Sequence, residues 1–179
     1  MEQLGAIHWM SLAVGLVIFA AVYDFLTKRI PNWLTFPGML IGIVANIILS
    51  GWMIGLKESL LGVSVGFVLF FPIYFFQIMG AGDVKLLMLI GAFVGYQLCF
   101  YVALASIFIG GAYALVNVIA VGRIVPYLRA SYKFFRPIFI PGLVREPLNL
   151  DKQRKFSFGF SLALAMILVV YLKQSGKLL

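Results

Sequence analysis

The 179-residue chain holds little of what a soluble protein uses to meet water. Only 11% of its residues are charged and 63% are hydrophobic, against about 25% charged and roughly 45–50% apolar in soluble domains; mean hydropathy is +1.07. A water-facing globule is excluded, and a polytopic membrane protein is implied. Acidic residues are scarce, 6 against 14 basic, for a formal charge of +8. The basic residues fall between apolar runs instead of along one face, which argues against a nucleic-acid partner. The single cysteine, Cys99, sits in an apolar stretch, so neither an intrachain disulfide nor a cysteine-cluster zinc site is available. The single histidine, His8, stands alone at the outer end of the first apolar run. The opening Met1-Glu2-Gln3 is acidic where a signal peptide would be basic, so the first apolar run is expected to stay as a helix.

What is present is a series of apolar runs bounded by charges or turn residues. They predict an all-α fold, one membrane-embedded domain over 1–179, with six spans at 6–23, 35–53, 59–79, 84–96, 98–121 and 156–172. At about 20 residues per span, six helices use about two thirds of the length. Only Gly95-Tyr96-Gln97 separates the fourth span from the fifth. If the segment after the first helix is cytoplasmic, Lys28, Arg29, Lys85, Arg123, Arg129, Lys133, Arg136, Arg145, Lys152, Arg154 and Lys155 lie inside, and only Lys57, Lys173 and Lys177 outside. Positive residues favour the cytoplasmic side, so both termini are expected outside, in a cytoplasmic (inner) membrane with the long basic loop 123–155 within. That loop interleaves Tyr127, Tyr132, Phe134, Phe135 and Phe139 with Arg129, Lys133 and Arg136, a composition suited to anionic lipid headgroups. Gly38/Gly42, Gly51/Gly55, Gly62/Gly66 and Gly91/Gly95 are spaced for close helix packing in lipid, and Asn46, Gln77 and Asn117 for hydrogen bonds between helices.

Four acidic residues, Glu2, Glu58, Glu146 and Asp151, fall in expected tails or loops. Asp24 and Asp83 do not: one ends the first helix and the other opens the fourth, both at the cytoplasmic level. Ionisable groups at membrane depth are costly and are functional candidates by default. The fourth helix from Val84 to Tyr96 has 13 residues, roughly 20 Å against a hydrocarbon core of about 30 Å. Such a helix can start below the surface if Gly80-Ala81-Gly82 before it is buried in protein or lines a water-filled cavity. Gly80 and Gly82 are read as allowing unusual backbone angles and close approach of a peptide. Asp83 can also cap the helix start, which is the structural reading of that residue. Two neighbouring carboxylates share a proton, so one can deprotonate an attacking water while the other donates to the oxyanion and the leaving amine. No metal or other cofactor is needed. Lys85 is expected to snorkel to headgroups and anchor its helix, Tyr23 to be an interfacial aromatic, and Ile30-Pro31-Asn32 to stop the first helix and turn the chain back.

Asp24 followed by Ile30-Pro31-Asn32, then Gly80-Ala81-Gly82-Asp83 with Lys85-Leu86-Leu87, resembles the type IV prepilin peptidases, membrane aspartic proteases with D-x5-IPN and GxGDxKLL segments. Ser157-Phe158-Gly159-Phe160-Ser161-Leu162-Ala163 resembles that family's PxGPxLA element, with serine and phenylalanine in place of the prolines, and is assigned no role. The resemblance implies an aspartic endopeptidase with Asp24 and Asp83 as the catalytic pair, Gly80, Gly82 and Lys85 at the substrate loop, and Pro31 and Asn32 supporting the motif. The implied substrate is a prepilin or pseudopilin, with a basic leader cut on the cytoplasmic side ahead of a hydrophobic helix. Larger members carry an insertion with two CxxC pairs and N-methylate the product. With only Cys99, this chain is similar to the short enzymes of tight-adherence pilus systems or to archaeal preflagellin peptidases, without the methyltransferase half. Tyr23-Asp24 with Gly80-to-Asp83 also resembles the presenilin and signal peptide peptidase group, which has more helices and a PAL segment absent here. From the residues alone, a small transporter or channel subunit using the two carboxylates as proton or cation sites remains open, as does a scaffold without catalysis.

Overall fold

In lipid every backbone polar group must be satisfied within the protein, so apolar runs of this length fold as helices. The computed structural model describes residues 2–27, 30–75, 79–120 and 158–177, and every element among them is helical: α1 (Glu2–Thr27), α2 (Asn32–Ser50), α3 (Trp52–Phe75), α4 (Ala81–Ala120) and α5 (Phe158–Gln174). Four of these hold stretches long and apolar enough to cross a membrane, Trp9–Thr27, Asn32–Ser50, Trp52–Phe75 and Ala81–Val116, with the shorter Phe158–Gln174 beside them. The expected loop 123–155 lies outside the described residues, as do Gln77 and the side chains of His8 and Asn117.

The helix bounds differ from expectation at several ends: α1 runs on to Thr27, α2 starts at Asn32, and α4 starts at Ala81, so Ala81 and Gly82, expected to precede the fourth helix, lie in its first turn. The span expected from 59 begins at Trp52, so Lys57 and Glu58, read as loop charges, lie on α3. Glu58 is folded over Gly95, where a Cβ would stand 2.9 Å from Glu58 Oε2. Charges at the edge of a span do not end a helix whose backbone bonds are already made.

The stretch from Ala81 to Val116 is 36 residues, roughly 54 Å if straight, far more than a bilayer needs. It is broken at Gly95, which has φ 78° and ψ 178°. Twelve residues along one helix are about 18 Å apart, yet Cys99 Sγ lies 3.8 Å from the carbonyl oxygen of Leu87. The chain therefore folds back on itself at Gly95, inside the expected Gly95-Tyr96-Gln97 turn. Gly95 is thus the turning point as well as a packing glycine: its positive φ is open to glycine at little cost, and a Cβ on Gly62 would stand 3.0 Å from its carbonyl carbon.

A reversal within the protein leaves helix carbonyls without their usual amide partners. Asn46 and Ser59 supply them. Asn46 Nδ2 donates to the carbonyl oxygens of Ala92 at 2.8 Å and Phe93 at 3.1 Å and to Ser59 Oγ at 2.9 Å, while Ser59 Oγ donates to Ala92 at 3.0 Å. The interhelical role expected of Asn46 is met, with the helix break as its target.

The chain divides into two compact units, 1–110 with 157–179, and 111–156. Of the second, the described residues are the end of α4, Gly111–Ala120, where Tyr113, Leu115, Val116 and Ile119 are exposed apolar positions. Within the first, α1 packs along α5 and α2 along α3. A Cβ on Gly62 would strike the carbonyl of Gly91, and one on Gly91 the carbonyl of Gly62, so α3 and the first arm of α4 meet backbone to backbone. Gly38 and Gly42 similarly admit Leu89 and Phe93. The expected packing of Gly51 with Gly55 against a neighbouring helix holds for Gly55 alone: Gly51 ends α2 at φ 84° with open space where a Cβ would stand, while Gly55 makes a close approach to the Asn46 carbonyl. Leu86, Leu87, Leu89, Ile90, Leu162 and Met166 fill the interior, whereas Phe19, Leu40, Met53, Val68 and Phe108 point outward. Exposed large apolar side chains on most helices are the outer face of a protein solvated by lipid.

Candidate active site

The site is built where α1 ends and α4 begins. Asp24 lies in the last turn of α1, which continues to Thr27, and is buried at 8% exposure; Asp83, in the first turn of α4, is buried at 7%. The corner that follows α1 rests on the helix turn that carries Asp83, with Ile30 against Gly82. Two carboxylates 59 positions apart in sequence are thus buried, one at the end of α1 and one at the start of α4.

Asp83 also serves the helix that carries it. Gly80 precedes α4, and its amide donates to Asp83 Oδ2 at 3.2 Å while its carbonyl accepts from the Asp83 amide at 3.1 Å. A carboxylate at the third helical position reaching back to the amide before the helix is the reciprocal half of a capping box. Capping and chemistry are therefore compatible, since capping occupies Oδ2.

Neither Gly80 nor Gly82 has the positive φ that would reserve its place for glycine; that conformation occurs at Gly51, Gly95 and Gly176. The expectation of unusual backbone angles before Asp83 is corrected accordingly. Gly82 is needed for proximity instead: a Cβ there would lie 3.0 Å from Ile30 Cβ, so the Ile30-Pro31-Asn32 corner rests on the first turn of α4. Pro31, at φ −74° and ψ 138°, stands just before α2, and its carbonyl accepts from the amides of Leu34 at 3.2 Å and Thr35 at 3.4 Å. Its extended ψ starts α2 in the new direction expected of this segment.

Lys85 is not a free snorkelling anchor. Its Nζ donates to Asn32 Oδ1 at 2.7 Å and stands 5.4 Å from the Phe36 ring centre. Tyr23 pairs with Phe19, ring centres 6.5 Å apart.

One site residue was assigned no role from sequence. Gly159, buried in the first turn of α5, lies against Asp24: a Cβ there would stand 3.2 Å from Asp24 Oδ2 and 3.5 Å from Asp24 Cβ. The neighbouring Phe158 packs edge-on to Phe70 at 5.7 Å and covers Gly110, which fixes the start of α5. The signal for Gly159 was the glycine inside the Ser157-to-Ala163 segment, discounted because the flanking prolines are replaced. Among the described residues no three His, Cys, Asp or Glu side chains gather as metal ligands.

Residues 11–115, more than half of the chain, match the type IV leader peptidase family. The chain belongs to that family. A prepilin leader peptidase/N-methyltransferase from Klebsiella pneumoniae is 34% identical over 93 residues, covering 48% of this chain and 40% of that protein. The match thus spans well under half of the relative's length. No solved structure matches the chain. The family match takes in Asp24, Pro31, Asn32, Gly80, Gly82, Asp83 and Lys85, while Gly159 lies beyond it.

Proposed function

We propose that this integral membrane protein is an aspartic endopeptidase that removes the leader from prepilins or pseudopilins at the cytoplasmic face, with Asp24 and Asp83 as the catalytic pair. The observation that carries the reading is the burial of both carboxylates, one in the last turn of α1 and one in the first turn of α4, with Ile30 of the corner after α1 resting on Gly82 beside Asp83. Burial excludes bulk water and strengthens every charge and hydrogen bond acting on the reacting peptide. One carboxylate, ionised, takes a proton from the attacking water as the carbonyl carbon is attacked. The other, protonated, hydrogen-bonds the developing oxyanion and then transfers its proton to the departing amine. With Asp83 Oδ2 held by the Gly80 amide, its Oδ1 is the oxygen left to face water and substrate.

The Gly95 reversal supports six spans, and the basic residues support a cytoplasmic (inner) membrane location with both termini outside. With one cysteine in 179 residues, the pair of CxxC motifs associated with methylation is missing, so the product is expected to leave with an unmodified amino terminus. The anionic face of the membrane is the expected partner of the basic loop 123–155.

The test is co-expression with a candidate prepilin, reading the mass of the pilin recovered from the membrane. Wild type is expected to shorten the pilin by its leader alone, without a methyl group. Asp24→Asn and Asp83→Asn, present at normal levels, are expected to leave it whole. Cleavage by either variant would overturn the catalytic pair, and an added methyl group would overturn the peptidase-only reading.

A further inference from the structure

Two contacts fasten the corner that follows Asp24 to the helix turn that carries Asp83. One is the approach of Ile30 to the backbone of Gly82. The other is the bond from Lys85 Nζ to Asn32 Oδ1 at 2.7 Å. The two contacts flank Asp83 in sequence, at positions 82 and 85, so together they clamp the start of α4 from both sides of the carboxylate.

A lysine whose task is to reach the headgroups would direct its ammonium away from the protein. Lys85 instead turns onto the first turn of α2, where an amide oxygen accepts its charge and the face of Phe36 lies 5.4 Å away. A bond from a charged donor is shorter and roughly twice as strong as a neutral one, and the ring adds an attraction of its own. Between Asp24 and Asn32 the chain leaves α1 and starts α2 at the extended Pro31, and Ile30 in this corner rests on Gly82, next to Asp83. A buried acid pair is sensitive to any slide of one turn past the other, since a misplacement of about 1 Å can cost roughly a hundredfold in rate.

We propose that Asn32 and Lys85 are positioning residues, and that the bond between them holds the first turn of α4 against the α1–α2 corner so that Asp83 stays in register with Asp24. Neither touches the reacting atoms. The proposal rests on the peptidase reading of the same site, and its test separates the two.

The purified full-length enzyme in lipid vesicles would be assayed on a prepilin substrate as wild type, Lys85→Met, Asn32→Ala, the double variant and Lys85→Arg. Each single change is expected to lower kcat about ten- to a hundredfold with KM within about twofold, and the double variant to be no slower than the worse single one, because both break the same bond. Lys85→Arg, which can still donate to Asn32, is expected to recover most of the rate. Spin labels on Thr27→Cys and Ala81→Cys, both exposed positions, in a Cys99→Ala background would report the same event without catalysis. A single narrow distance distribution is expected with Lys85 present, and a broad one in Lys85→Met. Losses that multiply in the double variant, a loss confined to KM, a loss at Lys85 with none at Asn32, or an unchanged distance distribution would each overturn the proposal. Were wild type inert toward every prepilin, the peptidase reading would fall, and the distance measurement would still decide the register.

Discussion

Gly159 and Asp24 are separated by most of the chain, yet a Cβ on Gly159 would stand 3.2 Å from the Asp24 carboxylate. The missing side chain is the space in which the carboxylate sits. Adding one methyl group pushes Asp24 by a few tenths of an ångström or turns it about its side-chain bonds. Gly159→Ala is expected to lower the cleavage rate about tenfold or more while the unfolding temperature changes little, and Gly159→Val to abolish cleavage. Full activity in Gly159→Ala would show that Asp24 tolerates the shift.

Asn46 is predicted to matter for stability and not for chemistry. In Asn46→Leu the carbonyls of Ala92 and Phe93 lose the amide that now reaches them, and a buried acceptor left unpaired costs about 1–2 kcal/mol. Ser59→Ala is expected to cost less, since Asn46 still reaches Ala92. Chemical unfolding in detergent would rank the two, and equal losses would contradict the arrangement at the Gly95 break.

Gly62 and Gly15 make a matched pair of opposite sign. Gly62→Ala drives a methyl into the backbone carbonyl of Gly91, which cannot swing away as a side chain could, and is expected to destabilise by about 1–3 kcal/mol. Nothing lies within 4 Å of a Cβ at Gly15 in α1, so Gly15→Ala removes only backbone freedom and is expected to stabilise by about 0.5–1 kcal/mol. The same unfolding measurement checks both.

Cys99 offers the readout for these experiments. It is fully buried beside Leu87, on the returning arm of α4. A thiol reagent is expected to label it only as the protein unfolds, so the labelling rate should rise in Asn46→Leu and Gly62→Ala and fall in Gly15→Ala. Immediate labelling of the native protein would contradict the reversal at Gly95.

Much of the site was legible because its signals are local. An aspartate at the end of one apolar run and another opening a second are visible along the chain, and so are the glycine at the turning point and the proline at the corner. The reading failed where a local rule met a long-range neighbour. Lys57 and Glu58 were read as loop because charges mark span ends on average, yet Glu58 finds a place over Gly95, where a Cβ would stand 2.9 Å from its Oε2. Gly82 was read as backbone freedom when its role is room for Ile30. Lys85 was read as an anchor because nothing local points to Asn32, 53 positions earlier.

By itself the sequence determined that this chain is helical and apolar enough to sit in a membrane, and that one aspartate ends an apolar run while another opens a second. These follow from hydropathy, from backbone hydrogen bonding in lipid and from counting residues along apolar runs, all of which act within a single segment. Only the tertiary structure decided that Asn46 completes a broken helix, that Asn32 holds Lys85 and that Gly159 makes room for Asp24. Each of those depends on which helices lie side by side and at what register, a choice made by the packing of whole surfaces that no single segment encodes.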